Sequence, residues 1–254
     1  MVKGLRVLVT AGASGIGLAI AEAMAREGAQ LHVCDISEQA LAACSAAHPD
    51  WSTSLCDVSQ ESQVAQLFED VASELGGLDV LVNNAGIAGP TGGIESLSSD
   101  DWNQTIDVNL NAQFYCTRLA VPMLKQSDNA SIICISSVAG RLGYAYRTPY
   151  AATKWAIIGL VKSLAIELGS HGIRVNALLP GIVEGPRIEQ VIADRAAEVG
   201  VTHEEMTEEY INKVSLRKMV TADDVANQAL FLCSSLGASI SGQPISVCGN
   251  VEYL

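Results

Sequence analysis

Short runs of apolar and β-branched residues recur along this chain, separated by longer stretches in which apolar residues return every third or fourth position. The first pattern belongs to strands buried on both faces, the second to amphipathic helices. Read this way, 5–10 is a strand, 15–27 a helix, 30–35 a strand, 38–47 a helix and 52–57 a strand. A helix over 61–75 is closed by Gly76-Gly77, and 78–82 is the fourth strand. The pattern then predicts a long helix over 101–125, a strand at 130–136, and a helix over 149–169 opened by Pro149. A strand at 173–178, a helix at 222–232 and a seventh strand at 244–247 complete the series. Strands alternating with helices of this length imply right-handed crossovers. The expected fold is α/β: a doubly wound, Rossmann-type, seven-stranded parallel sheet with helices on both faces, in a single domain over 1–254. Such a sheet binds ligands beyond the carboxyl ends of its strands. The charged, partly helical segment 184–215 breaks the alternation and is expected to be a substrate lid.

Composition narrows the partners. With 15 Lys and Arg against 28 Asp and Glu, the formal net charge is −13, the wrong sign for binding nucleic acid. An acidic carrier protein would be repelled as well. Seven cysteines (Cys34, Cys44, Cys56, Cys116, Cys134, Cys233, Cys248) form no metal-spaced set and lie mostly in apolar segments. No metal site is expected, and a reducing cytoplasm suits free thiols. Lys3 and Arg6 precede an apolar stretch, as in a signal peptide, but Glu22, Arg26 and Glu27 interrupt it at helical spacing. No apolar run approaches the roughly 18 residues of a membrane span. The sequons at Asn103 and Asn129 read as chance matches.

The first strand runs straight into Thr10-Ala11-Gly12-Ala13-Ser14-Gly15-Ile16-Gly17, and a helix follows. Glycines there allow a tight turn, backbone approach to a diphosphate, and close helix–strand packing. The diphosphate would meet unpaired N–H groups at a helix N-terminus. Asp35 ends the next strand, where a carboxylate accepts from the adenosine ribose diol and repels a 2′-phosphate. No Lys or Arg adjoins it, which favours NAD over NADP. Asp57-Val58 and Asn83-Asn84-Ala85-Gly86 end the third and fourth strands and extend the same crevice.

Tyr150 and Lys154 are one helical turn apart and project from one face, while Ser137 ends the fifth strand beside the crevice. Removing an alcohol proton as hydride leaves carbon requires a base, and a phenol of pKa about 10 is too weak near neutrality. A cation about 4 Å away at an effective dielectric near 20 contributes roughly 4 kcal/mol, enough to bring that pKa to about 7. The hydroxyl of Ser137 would hold the substrate oxygen.

Together these motifs resemble the short-chain dehydrogenase/reductase family, in its single-domain form, over nearly the whole chain. The resemblance rests on the glycine loop, Asp57, 83–86, Asn109, Ser137, Tyr150, Lys154 and Pro180-Gly181. It implies that Tyr150 is the general acid/base and that Lys154 lowers its pKa and binds the nicotinamide ribose. Ser137 would orient substrate and Asn109 support a water-linked proton relay. Ala11 stands where the family usually has Gly. After Pro180-Gly181 the chain reads Ile182-Val183-Glu184-Gly185-Pro186, without the family's Thr against the nicotinamide amide, so backbone of Ile182 or Val183 would take that contact.

Arg141, Arg147 and Arg187 flank the expected pocket, and one of them is expected to bind a small polar substrate such as a sugar or hydroxy acid; the competing reading is that they are solvated or paired with Glu184 and Glu189. The helix 149–169 is apolar nearly all round, which together with the resemblance implies a homotetramer. Two other readings are an acyl-carrier-protein ketoreductase, disfavoured by Asp35 and the acidic surface, and a catalytically silent NAD(H)-binding regulator, disfavoured by Ser137, Tyr150 and Lys154.

Overall fold

A computed structural model describes residues 1–251 of the chain. Seven strands build one parallel sheet: β1 (Arg6–Thr10), β2 (Gln30–Asp35), β3 (Ser52–Leu55), β4 (Val80–Asn83), β5 (Ser131–Ile135), β6 (Arg174–Pro180) and β7 (Pro244–Val247). Their order is β3-β2-β1-β4-β5-β6-β7, so the chain winds outward from β1 in both directions. The crevice therefore opens where β1 and β4 diverge.

Each sheet face has its own helical layer. On one side lie α1 (Gly15–Arg26), α2 (Glu38–Ala47) and the late helix Ala222–Cys233, packing Ile20, Met24, Leu41, Val225 and Leu232 against Val7, Val9 and Val33. On the other lie α3 (Glu61–Leu75), α4 (Ser99–Ile106), α5 (Ala112–Leu124) and α6 (Thr148–Leu168). Leu67, Cys116, Ala120, Ile157 and Val161 from these helices cover Leu8, Leu81 and Ile132. Central strands buried on both faces explain the continuous apolar runs that marked them in the sequence.

Among the boundaries that differ from expectation, three change how the chain is read. The third strand stops at Leu55, because the Asp57 carboxylate accepts from the N–H and hydroxyl of Ser59 and turns the chain locally. The fourth strand is shifted to Val80–Asn83, with Asp79 held by Arg6 ahead of the ladder. The single helix expected over 101–125 is interrupted by a π-turn over Asp107–Asn111, between α4 and α5.

Beyond β6 the chain forms α7 (Pro186–Val199) and α8 (His203–Asn212), and Ala222–Cys233 is α9. The first two cover the carboxyl end of the sheet, on a small core of Val138, Ile182, Ile192, Ala196, Met206 and Tyr210. Six cysteines are buried and Cys248 is half-buried, all as free thiols. Burial pushes Cys134 up to about 12 and Cys233 up to about 11, so both stay protonated and pack as small apolar groups. Among the described residues, no helix is long and apolar enough to cross a membrane, and no cluster of His, Cys, Asp or Glu could hold a metal ion.

Candidate active site

The glycine loop is held open by the strand beside it. Thr10 Oγ1 accepts from the N–H groups of Asn84 and Ala85, each at 3.0 Å, and Asn84 Nδ2 donates to the carbonyls of Thr10 (2.9 Å) and Ala11 (3.0 Å). Gly17 fits beneath this staple: a Cβ there would lie 2.5 Å from Asn84 Nδ2 and against the Ala11 carbonyl. Ala11 occupies the left-handed region (φ 46°), where a Cβ is strained and glycine would not be. Ser14 caps α1 without a side-chain hydrogen bond to it, and Gly15 (φ 54°) has nothing within 4 Å of a Cβ position. The first N–H groups of α1 thus face an open, exposed rim, the arrangement that receives a diphosphate. Gly12, Ser14, Gly15, Ile16 and Gly17 form this turn together.

Asp35 ends β2 and is buried, its carboxylate accepting from the N–H groups of Ala13 (3.3 Å) and Ser37 (3.1 Å). With Asp57, Val58, Ala85 and Gly86 it lines a cavity of about 630 Å³. A carboxylate oriented by backbone at this position can accept a ribose diol. The residues therefore fit an adenosine dinucleotide.

A second cavity, of about 480 Å³, contains Ser137, Tyr150 and Lys154 together with Pro180, Gly181 and Val183. Ser137 Oγ accepts from the Ala139 N–H at 3.1 Å. Lys154 Nζ lies 5.5 Å from the centre of the Tyr150 ring and donates to the Ile135 carbonyl at 3.0 Å. Burial first, and the nearby Arg187 second, push Lys154 down to about 7. Two contacts that the sequence reading missed seat α6 here. Ser136 Oγ donates to the Lys154 carbonyl at 2.7 Å, and Gly140 packs so closely that a Cβ would lie 2.6 Å from that same carbonyl.

The π-turn turns Asn109 inward, fully buried. Its Oδ1 accepts from the Ile87 N–H at 2.7 Å; its Nδ2 donates to the Ile87 carbonyl (3.1 Å) and to Thr153 Oγ1 (3.3 Å). Asn109 thus ties the loop after β4 to α6, and Gly86 leaves room for it: a Cβ there would sit 3.1 Å from Asn109 Oδ1 and 3.5 Å from Lys154 Nζ. Val183 lines the cavity between two backbone bonds to Val220, made by the Ile182 carbonyl and the Glu184 N–H. Ile182's carbonyl is thereby occupied.

The three arginines have different surroundings. Arg141 is exposed and turned onto β7, donating to Ser246 Oγ (3.1 Å) and the Pro244 carbonyl; it lines neither cavity, so the structure does not bring it to the pocket. Arg147 is 2% exposed, donates to the Ala88 carbonyl at 2.6 Å, and lies over the rings of Tyr144 (5.3 Å) and Tyr150 (5.2 Å). Its buried Nε has no hydrogen-bond partner among the described residues. Arg187 donates to the Gly86 carbonyl at 2.6 Å, and Glu189 pairs instead with His203 at 3.3 Å. The covering helices are fastened by a 2.7 Å bond between the hydroxyls of Tyr144 and Tyr210, and by Arg195 donating to the Ala145 carbonyl at 2.6 Å. Nothing in the sequence pattern marks Tyr210, which meets Tyr144 only through the fold.

The family model described as enoyl-(acyl carrier protein) reductase matches residues 10–250. The chain is 32% identical to a D-beta-hydroxybutyrate dehydrogenase of Rhizobium meliloti (strain 1021), over 95% of this chain and 96% of that one. It is similar to the structure of an NAD+-bound xylitol dehydrogenase, with TM-score 0.94 and 25% identity over 98% and 99% of the two chains. An actinorhodin polyketide ketoreductase with NADPH is also similar, with TM-score 0.93 and 30% identity over 98% and 97%.

Proposed function

The chain belongs to the short-chain dehydrogenase/reductase family, and from that premise we propose an NAD-dependent enzyme that interconverts a secondary alcohol and a ketone on a small substrate carrying an anionic group, of the hydroxy-acid kind. The observation that carries this reading is a single cavity holding Ser137, Tyr150 and Lys154 beside a buried arginine that has no acidic partner among the described residues. Asp35 at the adenosine end supports NAD.

When bound, the oxidised nicotinamide supplies the hydride acceptor. Ser137 holds the substrate oxygen by its hydroxyl, and Tyr150 takes the alcohol proton. Two cations favour the phenolate form that accepts this proton: Lys154 at 5.5 Å and Arg147 at 5.2 Å from the ring centre. Asn109, held by the Ile87 N–H and by Thr153 Oγ1, supports a water-linked proton relay. Arg147 serves the substrate anion by its charge, from the wall of the cavity that holds Tyr150. The segment 184–215 acts as the lid. Phe114 (49% exposed), Trp155 (52%) and Ile166 (85%) leave apolar surface on α5 and α6, which supports a homotetramer.

The test is a panel of 2- and 3-hydroxy acids and their uncharged amides, assayed for NADH formation, with wild type and Arg147→Met. NADH should form with at least one acid, and Arg147→Met should raise the acid's KM about tenfold or more relative to the amide's. Turnover confined to amides, or to NADP as oxidant, rejects the reading; the second result would favour the ketoreductase alternative.

A further inference from the structure

We propose that Arg187 is the counter-charge for the dinucleotide's diphosphate, exchanging its bond to Gly86 for the phosphates as the cofactor enters. This rests on the cleft being an NAD site. Arg187 is the second residue of α7, and its Nη2 reaches across to the Gly86 carbonyl at 2.6 Å. The side chain thereby lies across the cleft from the lid to the loop after β4. The cavity holding Tyr150 and the cavity holding Asp35 share four lining residues: Ala11, Ser14, Gly86 and Arg187. Two of these belong to the turn that receives a diphosphate. A dinucleotide joins its halves through that diphosphate, so one reaching from Asp35 to Tyr150 passes where Arg187 now sits.

Charge gives the same answer. The cavity at the adenosine end is lined by Asp35, Asp57, Asp100 and Asp107, and Arg187 is the one Lys or Arg among its lining residues. A diphosphate entering there, in a chain of formal net charge −13, needs more positive charge than the roughly half-charge at the N-terminus of α1. Arg187 is exposed and, among the described residues, bound only to a neutral carbonyl, so it can move at small cost. Its departure also removes a repulsion from Lys154, the second of the effects that lower that ammonium's pKa, burial being the first. Cofactor entry and the charge of the catalytic pair are thus linked through one side chain.

The experiment is calorimetric binding of NAD+, ADP-ribose and adenosine to wild type, Arg187→Ala and Arg187→Lys. Arg187→Ala should weaken NAD+ and ADP-ribose about tenfold or more, the worth of one charge-assisted hydrogen bond, while adenosine stays within threefold. Arg187→Lys should recover part of the loss, because it keeps the charge without the planar fork. Added salt should weaken ADP-ribose binding more in wild type than in Arg187→Ala. Unchanged ADP-ribose affinity in Arg187→Ala overturns the inference, as does an equal loss for adenosine. A rise confined to the KM of the anionic substrate at saturating NAD+ would assign Arg187 to substrate instead. If wild type binds neither NAD+ nor ADP-ribose, the dinucleotide reading itself fails.

Discussion

Asp35→Asn removes one negative charge from the end of β2 while keeping an oxygen that can accept from Ala13 or Ser37, whose N–H groups lie 3.3 and 3.1 Å from the carboxylate. NADP differs from NAD by a 2′-phosphate of charge about −1.5 to −2 on the ribose that this carboxylate is positioned to meet. At a separation of about 5 Å and an effective dielectric near 20, each unit of that charge is repelled by about 3 kcal/mol, giving about 5 kcal/mol in all. Doubling the dielectric to about 40, for a cavity open to solvent, leaves about 2.5 kcal/mol. Wild type should therefore prefer NADH over NADPH by roughly fifty- to several-thousand-fold. Asp35→Asn should lose most of that preference, with NADPH binding strengthened. NADH should weaken about tenfold, because the ribose diol then donates to a neutral acceptor. Nucleotide fluorescence titrations of both proteins read all four constants. Wild-type affinities for the two nucleotides within fivefold, or an unchanged ratio in Asp35→Asn, would refute the assignment of Asp35.

Two further outcomes follow from the same contacts. Burial pushes His32 from 6.5 down to about 4, where it lies between the hydroxyls of Ser52 and Ser54. Between those pH values the unfolded chain binds a proton that the folded chain excludes, so stability falls as pH drops through this window, by about 3 kcal/mol in all. Urea unfolding at pH 7 and pH 4.5 should show His32→Gln losing about 2 kcal/mol less than wild type, and equal losses would remove His32 as the cause. Gly17→Ala would press a methyl against Asn84 Nδ2 at 2.5 Å and the Gly12 Cα at 2.9 Å. It should lower stability by about 1–3 kcal/mol and weaken NADH binding at least tenfold; thermal unfolding and fluorescence titration check both, and wild-type affinity would show that the loop has room to give.

The alternation of strands and helices was legible because central parallel strands are apolar on both faces and their crossover helices on one. The glycine loop, Asp35 and the Tyr150–Lys154 pair were legible as candidates because each is local: a turn after a strand, an acid at a strand end, one helical turn. What escaped depends on contacts distant in sequence. Nothing in 101–125 signals a π-turn, since an i→i+5 step leaves the apolar spacing nearly unchanged. Arg141 and Arg147 look alike in sequence, yet one is drawn to Ser246 on β7 and the other buried over Tyr150. The end of β3 was misplaced because Asp57 bonds Ser59 rather than continuing the ladder.

The pairing of a phenol with an ammonium one turn away is tested most directly by the rate of NADH formation in Tyr150→Phe, with the best substrate of the panel and NADH affinity measured alongside. The rate should fall by roughly a hundred- to ten-thousandfold, the usual contribution of a general base, with NADH binding within threefold of wild type. A Tyr150→Phe enzyme turning over within tenfold of wild type would mean that another group takes the proton, and that this cavity does not work as described.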